Sequence, residues 1–174
     1  MKHMIQAAAI LVFGLGLAGC TSDSPASPSA GTTETFNAAL LTANEVPPIA
    51  NDEAGGSANA TIAFELTKDS AGYVTSASMN VSLTATGFPN GTALTKAHIH
   101  PGGTGSNGGV FVNVGLADGE VTFPSGAGSF TKNRIALTVD QANAILANPS
   151  GFYLNIHTAR NPDGVARGQL TKAQ

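Results

Sequence analysis

Ala77-Ser78-Met79-Asn80-Val81-Ser82-Leu83-Thr84-Ala85 alternates apolar and polar side chains without a break, and the turn-like stretch Gly87 to Gly91 follows it. A period of two is the mark of a half-buried strand, because successive side chains point to opposite faces of a sheet. Upstream, Ala58, Ala60, Ile62, Phe64 and Leu66 repeat the pattern, as do Phe36, Ala38 and Leu40. Shorter strand candidates follow at 97–100, 110–114, 121–123, 130–137, 152–157 and 166–171, separated by Gly, Pro and Asn clusters. Many short strands so spaced predict an all-β fold, an antiparallel Greek-key-like sandwich or barrel. Ile62, Phe64, Val81, Leu83, Leu154 and Ile156 are expected to face inward, with Asn80 and Ser82 on a wet face.

One helix interrupts the strands. Thr138 and Gln141 have capping-box spacing, Val139, Ala142, Ile145 and Leu146 form one face, and Asn148-Pro149 stops the run, which predicts a helix over 139–147.

Composition narrows the classes of function. The chain has 174 residues, 21 Gly, 9 Pro, one Cys and only 11% charged residues, with a net charge of −3. An apolar content of 42% argues against disorder. The charge balance offers no basic surface, so nucleic acid is not an expected partner. A single Cys excludes an internal disulfide and a thiolate metal cluster.

The N-terminus reads as a targeting segment. Lys2 and His3 precede an apolar run from Met4 to Leu17, shorter than the roughly 20 residues of a membrane-spanning helix. The run ends at Leu17-Ala18-Gly19-Cys20, which resembles a bacterial lipobox. That resemblance implies a signal peptide over 1–19 and lipidation of Cys20. Residues 20–33 then form a small, polar, Pro-punctuated tether, and 34–172 the folded domain. The implied location is the bacterial cell envelope, with the chain attached to the membrane on its extracytoplasmic side.

The histidines carry the chemistry. His98 and His100 flank Ile99 in a strand pattern, so their side chains share a face about 6.6 Å apart along the strand. In the strand 152–157, Phe152, Leu154 and Ile156 form the apolar side, which leaves Tyr153, Asn155 and His157 on the other. His98, His100 and His157 are therefore candidate ligands for one copper or zinc ion with an open fourth position, provided that the two strands are neighbours. Affinity would then weaken as pH falls through about 6.5, where free imidazole takes up a proton. In the alternative reading, the three histidines simply hydrogen-bond the loops around them.

Pro101 to Gly109 holds five glycines. A strand pattern follows it instead of a helix, so it is read as a tight connection over the histidine face and not as a phosphate loop. Arg160 and Arg167 flank the turn Asn161-Pro162-Asp163-Gly164; they could bind an anion, but pairing with Asp163 and Glu45 is the expected use of them. Glu45, Asn107, Asn155 and Arg167 are the candidates for loop or supporting contacts around the histidines. No catalytic nucleophile with a base, and no telling carboxylate pair, can be named.

Four motifs occur in the order seen in one family. Asn44-Glu45-Val46-Pro47-Pro48, Ala97-His98-Ile99-His100 with its Gly-rich tail, Tyr153 to Thr158, and Gly164 to Leu170 together resemble the CHRD (chordin) domain, over about residues 35–171. The resemblance implies an all-β Greek-key-like sandwich. In animals this domain is a repeated module of an extracellular growth-factor antagonist, and bacterial members look like single-domain envelope proteins. Val165 departs from the family pattern, which often has an acidic residue there. The His-x-His strand with a Gly-rich loop is also faintly similar to copper/zinc superoxide dismutases, without their cysteine pair. Two functions follow as expectations. One is a non-enzymatic, lipid-anchored binding or structural module for an unknown protein or small ligand, with copper or zinc on the three histidines. The other is a metal-dependent redox enzyme at the same residues.

Overall fold

A computed structural model describes residues 31–174. The expected signal segment, Cys20 and most of the expected tether lie outside the described residues. Ten strands form one antiparallel sheet: β1 (Thr32–Leu41), β2 (Ser57–Lys68), β3 (Val74–Thr86), β4 (Thr92–Pro101), β5 (Val112–Asn113), β6 (Val121–Phe123), β7 (Gly128–Leu137), β8 (Phe152–Thr158), β9 (Ala166–Gln169) and β10 (Thr171–Lys172). The order is β5-β4-β8-β9-β1-β2-β3-β7, with β10 on β1 and β6 on β4. β6 pairs with the start of β4 and lies against β7, so the two ends of the sheet are drawn together into a nearly closed barrel.

The alternating runs set this up. β1, β2 and β3 form a meander whose register aligns Phe36 with Ile62 and Ile62 with Val81, then Ala38 with Ala60 and Ala60 with Leu83. Every one of these side chains is buried, as are Phe64, Leu154 and Ile156, so all six expected core residues point inward. Phe36 and Phe64 meet edge to face, with ring centroids 5.1 Å apart. The β2–β3 turn is held by the Asp69 carboxylate, which accepts from the Ala71 and Tyr73 amides at 2.9 Å.

α1 spans Val139–Ala147 as expected, with both halves of the Thr138–Gln141 capping box formed. It seats Ala142 and Ile145 in the core. Several strand boundaries differ from the alternation reading, four of them by more than a short extension at the ends. β1 begins at Thr32, so Thr32 and Thr33, expected at the end of the tether, pair with Leu66 and Glu65. β4 starts at Thr92, five residues before the legible pattern, while the 110–114 candidate shrinks to the two residues of β5. The 166–171 candidate divides into β9 and β10 around the buried Leu170. Asn80 is also less wet than its parity suggests. It is half-buried, and its Oδ1 accepts from the Arg134 amide at 2.9 Å, where β7 bulges and Arg134 has φ 55°.

β8 decides where the site sits. Each of its residues is buried, which is unusual for an alternating strand with polar side chains on one side. Phe152, Leu154 and Ile156 enter the barrel core. Tyr153, Asn155 and His157 face outward and are covered by the segments around 45–50, 102–109 and 160–165.

Candidate metal centre

β4 and β8 are direct neighbours. Their register sets His98 opposite Asn155, His100 opposite Tyr153 and Lys96 opposite His157. Strand parity then puts all three histidines on the outer face, and one ring nitrogen from each lies within 4.8 Å of the others. All are buried, with relative exposures of 8%, 6% and 4% for His98, His100 and His157.

The loops assign the proton on two of these rings. His157 Nδ1 lies 2.9 Å from the Pro162 carbonyl oxygen, and His100 Nδ1 lies 3.0 Å from that of Gly108. A carbonyl only accepts, so each Nδ1 carries the hydrogen and each Nε2 keeps its lone pair. His98 Nδ1 lies 3.2 Å from His157 Nε2 and donates to it. Two nitrogens bound to one tetrahedral ion at about 2.0 to 2.1 Å are separated by about 3.3 Å, so this spacing also fits an ion shared by the two rings, with the His98 proton then on Nε2. His100 Nε2 is buried and has no hydrogen-bond partner. A carbonyl behind the imidazole, as His100 and His157 have, is a usual arrangement behind metal-bound histidine. Two of the histidines, His100 and His157, thus hold loops through Nδ1, as the alternative reading of the sequence expected, while His100 Nε2 stays unpartnered and His157 Nε2 meets only His98.

Electrostatics favours the neutral ligand form. Burial is the largest influence on all three, and it lowers each below the ordinary imidazole value. His98 is pulled down to about 4, with His157 and His100 adding to the effect of burial. The expected loss of ligand form near pH 6.5 is thus displaced to lower pH.

The supporting residues divide into two groups. Arg167 meets expectation: it is buried and pairs with Glu45, Nε to Oε2 at 2.8 Å and Nη2 to Oε2 at 2.7 Å. It also donates to the Ser106 carbonyl at 3.1 Å and to Asn107 Oδ1 at 2.7 Å, and its guanidinium lies 4.6 Å over the Tyr153 ring. The other side of the layer is Tyr153 stacked on His100, 5.1 Å between centroids at 11°. Asn107 Nδ2 ties the loop to the Val46 carbonyl at 3.0 Å. Burial raises Glu45 against the opposing hydrogen bond and charge of Arg167, and its Oε1 is unpartnered. Asn155 lies beside His98 in register, but its Oδ1 is also without a partner, so no support of a histidine by Asn155 is seen. Arg160 departs from expectation, since it pairs with Asp52 at 3.0 Å instead of Asp163. The 3-10 turn Asp52–Gly55 brings Asp52 to the exposed rim, where both side chains remain in solvent. Val165, in place of an acidic residue, is part of the core.

Glu53 was not legible as a site residue. It sits in that 3-10 turn, is buried, and accepts from Thr158 Oγ1 at 2.8 Å and from Asn161 Nδ2. The only hint in sequence was the Asn51 cap before it, whose Oδ1 accepts from Glu53 N at 3.0 Å. Beside the cluster lies a cavity of about 550 Å³, bordered by His100, Asn107, Tyr153, Pro162 and Arg167.

An all-β barrel-like domain with a buried three-histidine cluster on its outer face is the class of protein defined so far. The family model of the CHRD domain matches residues 36–170, and the chain belongs to that family. No curated protein and no solved structure matches it.

Proposed function

We propose that this domain is a metal-binding module that holds one copper or zinc ion through His98, His100 and His157. Under this proposal it is displayed outside the cytoplasm on a lipid anchor at Cys20. The observation that carries the reading is the orphaned His100 Nε2, buried beside two other imidazoles in a cluster where one ring nitrogen of each lies within 4.8 Å of the others. An unpaired buried acceptor costs about 1–3 kcal/mol, and an ion bound there would remove the cost. Carbonyls behind His100 and His157 support it further, because they leave the ligating nitrogens unprotonated at neutral pH. The anchor rests on the Leu17 to Cys20 sequence alone. Under this proposal the role is binding or structural.

Titration of the full chain with Cu²⁺ and with Zn²⁺ tests this, followed by elemental analysis. One ion per chain is expected for one of the two metals, with affinity sharply reduced in each of His98→Ala, His100→Ala and His157→Ala. Binding unchanged in all three variants, or no binding of either metal, would overturn it.

The cavity bordering His100 gives a specific reason to keep a second reading, a copper-dependent redox enzyme, because a catalytic ion needs a coordination position that substrate can reach. Superoxide removal by the copper-loaded chain, abolished by His100→Ala, would favour it over pure binding.

A further inference from the structure

A carbonyl orients an imidazole only as firmly as its own loop is held. The loop that supplies the Gly108 carbonyl is rich in glycine, which loses the most conformational freedom on ordering. The segment that supplies the Pro162 carbonyl is a turn outside the sheet. Each is fastened by a buried glutamate that touches no histidine. Glu45 holds Arg167, and Arg167 grips the Gly-rich loop at Ser106 and Asn107, two residues and one residue before Gly108. Glu53 holds Thr158 and Asn161, and Thr158 Oγ1 accepts from Asn161 N at 3.1 Å, next to Pro162. The two arrangements are alike: carboxylate, then a polar side chain, then a loop carbonyl, then imidazole Nδ1.

We infer that Glu45, acting through Arg167, and Glu53, acting through Thr158 and Asn161, are the positioning residues of the metal centre. Each fixes the ring tautomer of one histidine by immobilising the loop that carries its carbonyl. This deepens the metal reading above and rests on it only for the affinity measurement below. Carboxylates commonly accept directly from a metal-bound imidazole; here each is displaced outward and acts through backbone. The two clamps are also separable, since Glu45 and Arg167 serve His100 while Glu53 serves His157.

The test is nitrogen NMR of the full chain carrying ¹⁵N-labelled histidine, together with Zn²⁺ and Cu²⁺ titration. In the wild type, His100 and His157 should each show a single neutral Nδ1–H tautomer. Glu53→Ala should mix the tautomers of His157 and spare His100, and Arg167→Ala should do the reverse. Each should weaken metal binding by about 10 to 100-fold, the usual loss when a group behind a ligand is removed. Glu53→Gln, which keeps an acceptor oxygen for Thr158, should recover most of the loss. Arg167→Lys should not, because an ammonium cannot reproduce the fork to Ser106 and Asn107. If an alanine variant fails to fold, Glu53→Gln and the exposed Asn107→Ala decide: the first should keep the His157 tautomer, and the second should loosen that of His100. Folded variants with unchanged tautomers and affinity would overturn the inference. A wild type that binds neither metal would overturn the metal reading instead, and the tautomers would still judge the clamps.

Discussion

His98 and His157 stand 59 positions apart in the chain and meet nitrogen to nitrogen at 3.2 Å, buried beneath three loop segments. Their meeting follows from the β4–β8 pairing. It makes the neighbourhood hostile to a second positive charge, since burial and the adjacent imidazoles both hold His98 down to about 4.

The first prediction is the pH dependence of the metal-free chain. Unfolded histidine takes up its proton near 6.5, whereas folded His98 does so near 4, so protons bind the unfolded chain preferentially between those values. Stability should therefore be greatest above about pH 6.5, decline as pH falls towards 4, and lose nothing further from this residue below that. Urea denaturation of wild type and His98→Gln at pH 7.5, 5.5 and 4 should show a shallower decline in the variant. Parallel curves would mean that the His98 ring is solvated.

Metal affinity should follow the same displacement. His98 keeps its neutral ligand form down to about pH 4, and burial displaces His100 and His157 in the same direction, so the midpoint of metal loss should lie below pH 6.5. A midpoint at 6.5 would contradict the burial of the site.

Phe64→Ala should cost about 3–5 kcal/mol by opening a cavity against Phe36 and Met79. Ser82→Ala, on the exposed face of β3, should cost under about 0.5 kcal/mol. Asn80→Ala should fall between them at about 1 kcal/mol, because it strips the Arg134 amide of its acceptor. Chemical denaturation ranks the three, and equal losses at Phe64 and Ser82 would reverse the facing of the strand.

Gly108→Ala should damage the site through the loop. A Cβ there would overlap the Pro101 carbonyl oxygen, so the backbone must move and the acceptor for His100 Nδ1 moves with it. Gly103, in the same loop, has open space around its would-be Cβ. Zn²⁺ titration should show weakened binding for Gly108→Ala and wild-type binding for Gly103→Ala.

Mass spectrometry of membrane-extracted protein should find an acylated Cys20 at the new N-terminus, as the Leu17 to Cys20 sequence implies. More than one acyl chain is expected, since a single chain gives only marginal attachment. An unmodified chain cleaved elsewhere would refute the anchor.

Local patterns determined a good deal of this protein. Side-chain direction along a strand depends only on parity, so the inward set from Ile62 to Ile156, and the shared outer face of His98, His100 and His157, were legible without knowing any partner strand. The α1 boundaries were equally local, because capping is settled within one turn. Tertiary structure decided the rest. Whether β4 would lie beside β8 depends on the register of the whole sheet, and only that pairing turns two histidine positions into one cluster. It also buried the outer face of β8 under loops, which displaced the histidine titration and brought in Glu53 and the Gly108 and Pro162 carbonyls. Backbone acceptors carry no residue-type signal, and the Asn51 cap beside Glu53 marks a turn without showing that its glutamate binds across 105 positions; contacts of that kind exist only once the chain has closed on itself.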